Sequence, residues 1–382
     1  MFLNDRDIAE LIAWRRKLHA QPELSGDEAR TAREARACLE MTRPDQIVAH
    51  LGGHGVAAIY NGAAPGPTVM IRAELDGLPI AEISDAPHRS RVAGMGHLCG
   101  HDGHMATLAA VARGLGRRRP LRGRAVLLFQ PAEENGSGAA AVVADPKFTD
   151  IAPDLAFAYH NMPGLPLGRA ALRAGPVSCA SRGLRIALTG KITHASMPEF
   201  GVSPMRALSE LMPALTALGR GGTLDAGYSL ITVTHAQMGE RAFGIAPGHA
   251  EIWATLRTLT DEGMAGLVES AERLAREAAA ESGLDLDMAY DDVFGHCENA
   301  PEAVAYLSRA LDAEGVSWEG AGLPMRASED FGRFGHDAPA AMFLLGAGER
   351  HPSLHSSDYD FPDELIAIAA RVMMGALRDV LG

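Results

Sequence analysis

The sequence predicts an α/β protein carrying a second, smaller α+β unit inserted within it. Three observations point to this. Short, almost continuously apolar runs at residues 68–72, 125–129, 155–159 and 340–345 have the composition of strands covered on both faces. Helical patterns lie between and beside them, at residues 105–116, 300–314 and 363–381. The middle of the chain follows another order, strand, helix, strand, strand, helix, strand, which is the ferredoxin-like arrangement.

Taken in order, residues 6–41 are rich in Ala, Leu, Glu and Arg with helical periodicity, and Gln21-Pro22 divides them into two helices. Gly52-Gly-His-Gly55 reads as a turn. The apolar strands and the 105–116 helix follow. From residue 182 the alternation of Leu184, Ile186 and Leu188 opens the inserted unit as a strand. Helix 203–218, strands 228–235 and 251–257, helix 260–282 and strand 286–292 complete it. The larger unit resumes near Val293, so the expected division is 1–180, 181–292 and 293–382. No tandem repeat or low-complexity linker interrupts this plan.

Composition narrows the function. At 382 residues with 47% hydrophobic content the chain can fill two to three cores of about 150 residues each. The net charge of −13 argues against a basic groove for nucleic acid or a polybasic patch for anionic lipid. Arg117, Arg118 and Arg119 fit a solvated helix end. No apolar stretch approaches the ~20 residues that span a bilayer. The first six residues do not resemble a secretory signal, so the cytoplasm is the expected location. Cys38, Cys99, Cys179 and Cys297 are too few for a disulfide framework in so long a chain.

Three apolar strands run directly into ionisable residues: the first into Glu74 and Asp76, the second into Glu133 and Glu134, the third into His160. Sites in open α/β sheets form beyond the carboxyl ends of strands, so these groups are expected to converge. The loop Gly96-His-Leu-Cys-Gly-His-Asp-Gly-His104 adds Cys99, His101, Asp102 and His104, and His351 and His355 follow the last strand. Thiolate, imidazole and carboxylate together are the ligands of zinc and similar borderline transition metals. The glycines around His101 are expected to let the backbone approach a ligand closely. Neighbouring side chains of an extended segment diverge, so of the Glu133-Glu134 pair one can bind metal while the other faces substrate water. No H-E-x-x-H helix, G-x-S-x-G elbow or G-x-x-x-x-G-K-[ST] loop offers a competing chemistry.

The full set of motifs is recognisable. Arg15-Arg-Lys-Leu-His-Ala-Gln-Pro-Glu-Leu24, Arg72-Ala-Glu-Leu-Asp-Gly-Leu-Pro79, Cys99-Gly-His-Asp-Gly-His104, Phe129-Gln-Pro-Ala-Glu-Glu134, Gly190-Lys-Ile-Thr-His-Ala-Ser-Met-Pro198, Ser328-Glu-Asp-Phe331 and Leu354-His355 occur in this order. They resemble the hippurate hydrolase, N-acyl-amino-acid amidohydrolase and auxin-conjugate amidohydrolase group of the aminoacylase and carboxypeptidase-G type dinuclear metallopeptidases. The resemblance spans essentially the whole chain. It implies a mixed-sheet catalytic domain sandwiched by helices, with an inserted ferredoxin-like lid that serves dimerisation. It also implies that Cys99, His101, Glu134, His160 and His355 hold two divalent ions (Zn, Mn, Ni or Co), with Glu133 as general base. Asp76 matches the aspartate that orients the site. His194 matches a lid histidine that stabilises the oxyanion, commonly across a homodimer. Arg257 matches a position that holds a substrate carboxylate in some relatives, and fits equally well as a strand-end surface arginine. Two residues depart from the group's pattern: Glu74 stands where Asp is usual, and Gly244 where many members have a substrate-contacting Asn.

The reaction this implies is hydrolysis of an N-acyl amino acid or related small amide, with no nucleic acid or membrane partner. A dipeptidase or carboxypeptidase using the same site is the nearest alternative, and a non-catalytic binding relative is the alternative of another class.

Overall fold

A computed structural model describes residues 2–382, which divide into two compact units. The first comprises residues 2–177, 297–323 and 330–382, and the second comprises 178–296 with 324–329. The chain therefore leaves the first unit, forms the second, and returns to it once more for a six-residue stretch.

The first unit opens with helices α1 (Asp5–His19) and α2 (Ala29–Glu40). Asn4 caps α1 by accepting from the Asp7 N–H while the Asp7 carboxylate accepts from the Asn4 N–H, a reciprocal box that satisfies two orphan donors. Strands β1 (Gln46–Leu51) and β2 (Gly55–Asn61) form an antiparallel pair around the glycine turn. They are followed by β3 (Ala64–Glu74), α3 (His101–Arg117), β4 (Arg122–Gln130), α4 (Gly138–Ala144), β5 (Leu155–Pro163), β6 (Ala170–Ala171) and β7 (Gly175–Ser178).

The second unit contains β8 (Ala180–Thr189), β9 (Thr193–His194), α5 (Met205–Ala217), β10 (Ser229–Met238), β11 (Ile245–Ala246), β12 (His249–Thr258), α6 (Asp261–Glu281) and β13 (Asp285–Phe294). The returning chain supplies β14 (Cys297–Asn299), α7 (Pro301–Ala313), β15 (Trp318–Glu319), β16 (Ala340–Gly348) and α8 (Glu364–Leu381).

The main sheet has the order β1-β2-β4-β3-β5-β16-β6-β15. Its central strands β4, β3, β5 and β16 are mutually parallel, while β2 joins β4 antiparallel, so the sheet is mixed. Phe129, Phe157 and Phe343 on three of these strands are fully buried. Burial of that kind stabilises by about 1.5–3 kcal/mol per side chain. α3 packs on β3, α1 and α8, and nearly its whole circumference is buried. The parallel direction of the four central strands brings their carboxyl ends to one edge, where the ionisable segments emerge.

In the second unit the sheet order β10-β12-β8-β13, antiparallel throughout, is the ferredoxin-like arrangement read from the sequence. Leu184, Ile186 and Leu188 of β8 and Ile252, Ala254 and Leu256 of β12 face α5 and α6 in its core. Among the described residues no helix is long and apolar enough to cross a membrane.

Candidate active site

Four strand ends and one helix start build the site, all within the first unit. β3 ends in Glu74 and leads to Asp76, β4 ends in Gln130 and leads to Glu133 and Glu134, β5 carries His160, and the loop beyond β16 carries His355. His101 is the first residue of α3. Gly100 before it has φ 95, and a Cβ there would lie 2.2 Å from Asn161 Oδ1; a Cβ on Gly103 would lie 2.3 Å from the Phe361 ring. The clearance expected to serve a ligand is thus used by Asn161 and Phe361, which lets α3 begin against β5.

The five residues read as ligands come together. Cys99, His101 and His160 offer donor atoms within 4.8 Å of one another, as do Cys99, Glu134 and His355, and His101, Glu133 and Glu134. Two of the three histidines, His101 and His160, have one nitrogen tied down. His101 Nδ1 donates to the Asp76 backbone carbonyl at 2.9 Å, and His160 Nδ1 to the Asn161 carbonyl at 2.7 Å. These bonds leave Nε2 of each ring as the nitrogen that could ligate a metal. His101 Nε2 lies 3.8 Å from both Glu133 Oε2 and Glu134 Oε1, and His355 Nε2 lies 3.4 Å from Glu134 Oε2. His101 Nε2 and Glu134 Oε1 are buried with no hydrogen-bond partner. Such orphaned polar atoms aimed at one point are what a cation site leaves, so the residues fit the ions that the donor chemistry implies.

The electrostatics agree. Burial alone would lower the His101 pKa, but Asp76, Glu74 and Glu134 outweigh it and push it up to about 10. Burial raises Glu134 to about 7, with Asp76 and Glu74 adding to the shift against His101. The Cys99 thiol is pushed well up by burial and by Glu134 and Glu133. Burial, helped by His104 and His101, lowers His160 to about 3, keeping it neutral for ligation. A pocket so rich in carboxylates stabilises positive charge, and a bound dication would draw the raised His101, Glu134 and Cys99 values back down.

Asp76 is fully buried. Its Oδ2 accepts from the Glu134 N–H at 2.9 Å and the Ser25 hydroxyl at 2.7 Å. It therefore orients both His101, through its carbonyl, and the 131–134 turn. His104 packs edge-on against His160 with both its nitrogens engaged, Nδ1 by Glu74 and Nε2 by Asn161, each at 2.6 Å. Glu74, the residue one methylene longer than usual, also pairs with Arg72, whose guanidinium bonds Asp330 and Gln130 as well. Asp330 in turn accepts from Gln130 Nε2 at 2.8 Å and the Ala139 N–H at 2.9 Å. Sequence reasoning quoted Arg72 and Asp330 inside motifs but gave neither a role; a charged residue inside an apolar strand run was the available signal.

Two non-glycine residues of the site adopt left-handed backbone, Ala132 at φ 51 and His355 at φ 64. Each costs roughly 1–2 kcal/mol, and such positions concentrate where function fixes a side-chain direction.

His194 and Arg257 belong to the second unit. His194 lies on β9 opposite Ile245 of β11, and is exposed. The Ser196 N–H lies 3.1 Å from its Nδ1, so that nitrogen accepts and the proton sits on Nε2, a tautomer assigned from the hydrogen bonds. Gly244 lies beside it, its carbonyl accepting from the Ala195 N–H at 3.1 Å, and a Cβ there would meet nothing within 4 Å. Arg257 donates to the Arg326 carbonyl and the Ser328 hydroxyl, both at 3.0 Å.

A mixed sheet whose strand ends gather thiol, imidazole and carboxylate donors around an adjacent glutamate defines a metal-dependent hydrolase of the dinuclear kind. The sequence profile of peptidase family M20/M25/M40 matches residues 70–379, and the chain belongs to that family. It is 30% identical over 358 residues to a hippurate hydrolase of Campylobacter jejuni, covering 93% of this chain and 92% of the relative. It is 28% identical over 370 residues to an N-acetylcysteine deacetylase of Bacillus subtilis, covering 94% of each. Among solved structures, the Bacillus subtilis YXEP protein, a dinuclear metal-binding peptidase from the M20 family, superimposes with a TM-score of 0.82 at 26% identity and 99% coverage of both chains.

Proposed function

We propose that the protein is a metal-dependent amidohydrolase that cleaves the amide bond of an N-acyl amino acid or similar small amide. The observation that carries this is the convergence of Cys99, His101, Glu134, His160 and His355 beside Glu133, with His101 Nε2 and Glu134 Oε1 buried and unpartnered. Cys99, His101, Glu134, His160 and His355 hold two divalent ions, drawn from Zn, Mn, Ni or Co. When bound, such ions lower the pKa of a water towards neutrality and polarise the scissile carbonyl. Glu133, whose Oε2 lies within 3.8 Å of the same His101 nitrogen, takes a proton from the attacking water and returns it to the leaving nitrogen. Asp76 keeps the His101 ring and the Glu134 backbone in place throughout. The names of the relatives, which act on N-acetylcysteine and hippurate, support an acylated amino acid as substrate.

The second unit acts as lid and dimerisation domain. His194, with its proton on Nε2, is in the form that donates to an oxyanion, and it does so in the site of the partner subunit. Exposed Ile192, Met197 and Phe200 flank it in sequence, exposed Ile245 pairs with it across β9 and β11 with exposed Phe243 two residues before, and β10 is an edge strand of its sheet; both features suit a twofold homodimer. Arg257 is assigned to the substrate carboxylate. The four cysteines form no disulfide, which suits the reducing cytoplasm, where we place the enzyme.

Protein reconstituted with each metal should be tested against N-acetyl, N-benzoyl and N-indolylacetyl amino acids and against dipeptides. Turnover of an N-acyl substrate that chelation abolishes is expected. Preference for a free α-amino group would move the assignment to a dipeptidase, and no turnover at all would leave a binding protein.

A further inference from the structure

The segment joining α1 to α2 carries part of the motif Arg15–Leu24 and contributes no metal ligand, yet it wraps the site. Ser25 bonds Asp76, and the Glu23 carbonyl accepts from the Gly77 N–H at 2.8 Å. Glu28, directly before α2, is fully buried, and its Oε1 accepts from the N–H of Gly26 at 2.9 Å and of Ala132 at 2.8 Å. Ala132 is the left-handed residue immediately before Glu133.

We infer that Glu28 is a positioning residue for the reaction, fixing the direction of Glu133 by holding the Ala132 peptide in its left-handed turn. The turn from Pro131 to Glu134 is gripped at separate points. Asp76 accepts from the N–H of Glu134, on the ligand side, and Glu28 accepts from the N–H of Ala132, on the base side. The Gly136 and Gly138 N–H groups bond the carbonyls of Glu133 and Ala132. An alanine relaxes readily out of the left-handed region once its N–H is released, because only glycine is at ease there. Loss of the Glu28 acceptor therefore turns the Glu133 side chain while Glu134 keeps its own anchor. The two glutamates are adjacent, so such separate control is needed if one is to bind metal while the other moves a proton. Glu28 lies outside residues 70–379, the stretch that matches the family profile.

The inference rests on Glu133 being the general base, and the experiment separates the two. Glu28→Met keeps the buried volume and removes the acceptor. It is expected to lower kcat by on the order of 10²-fold, as misplacement of a reacting group by about 1 Å can do, with KM, metal stoichiometry and the folded state retained. Glu28→Gln, whose amide oxygen can still accept from Ala132, should recover most of that loss. Hydrogen exchange at the Ala132 amide should speed up in the methionine variant and not in the glutamine one. Added to Glu133→Gln, Glu28→Met should cost nothing further. A folded, metal-replete Glu28→Met protein with kcat within about twofold of the parent would overturn the inference. Should that variant not fold, Glu28→Asp, which shortens the reach to Ala132 by one methylene, decides by the same measurements. If Glu133→Gln itself retains full turnover, the general-base assignment fails and not the Glu28 geometry.

Discussion

Replacing Arg72 by Met tests whether the strand ends of the site are held by buried charge. The substitution keeps most of the side-chain volume and removes a guanidinium that is fully buried among Glu74, Asp330 and Gln130. Glu74 keeps His104, and Asp330 keeps Gln130 and Ala139, but each carboxylate loses its compensating cation. Breaking a buried pair costs about 3–5 kcal/mol. Both pairs share one guanidinium, so the costs do not add, and the same range is expected for the variant. That is a large part of the roughly 5–15 kcal/mol that stabilises a typical domain. The pH dependence identifies the mechanism. Burial alone would raise the Glu74 pKa, but Arg72 and His104 hold it well below the ordinary carboxylate range. Its contribution in the parent is therefore present above the unfolded value of about 4.5 and lost as pH falls below it. Without Arg72 the carboxylates can take up protons at higher pH, so the deficit should shrink between pH 8 and pH 5. Urea unfolding in a Trp253→Phe background, where Trp14 and Trp318 report the first unit alone, supplies the measurement. A deficit below about 1 kcal/mol, or one that does not change with pH, would show that buried charge does not hold these strand ends, since a packing defect carries no proton dependence.

Cys99→Ala should lose bound metal and turnover together, and metal uptake by the parent should release protons and weaken at low pH, as titration with a pH indicator can follow. His194→Ala and Glu133→Gln proteins should each be nearly inactive, and exchange of subunits between them should restore part of the activity; a demonstrated heterodimer without recovery would exclude action across subunits. Burial would lower the His19 pKa, but Asp102 and Glu82 push it up to about 10 from 6.5, so its stabilisation is complete below pH 6.5 and lost as pH rises through 10. His19→Gln should accordingly be destabilised at pH 6 by denaturant titration and converge with the parent above pH 10.

The sequence was most informative where periodicity and chemistry coincide. The apolar runs at 68–72, 125–129, 155–159 and 340–345 lie within β3, β4, β5 and β16, and the alternation at Leu184, Ile186 and Leu188 lies within β8. β1 and β2 escaped notice, although the turn between them was legible: β1 has mixed burial and weak alternation, and β2, buried at six of its seven residues, is built on the small residues Gly55, Ala57 and Ala58, which leave its apolar run inconspicuous. α4 was missed for a similar reason: seven residues of Gly, Ala and Val carry no helical period. The expected boundaries at 180/181 and 292/293 stand beside contact divisions at 177/178 and 296/297, and the return of residues 324–329 to the second unit left no compositional trace. Within the site, residue types disclosed the donor set. The partners that hold it, Glu28 to Ala132 and Asp330 to Arg72, are 104 and 258 residues apart in the chain and depend on tertiary structure.

The proposed reaction rests on a division of labour between two adjacent glutamates, Glu134 binding metal and Glu133 moving the proton. It is tested most directly by measuring metal stoichiometry and N-acyl amino acid turnover side by side in Glu134→Ala and Glu133→Gln. Glu134→Ala should lose metal. Glu133→Gln should keep the parent's full metal content and lose about 10²–10⁴-fold in kcat, the contribution of a positioned acid–base group. Equal metal loss in both variants, or full turnover in Glu133→Gln, would rule out that division of labour.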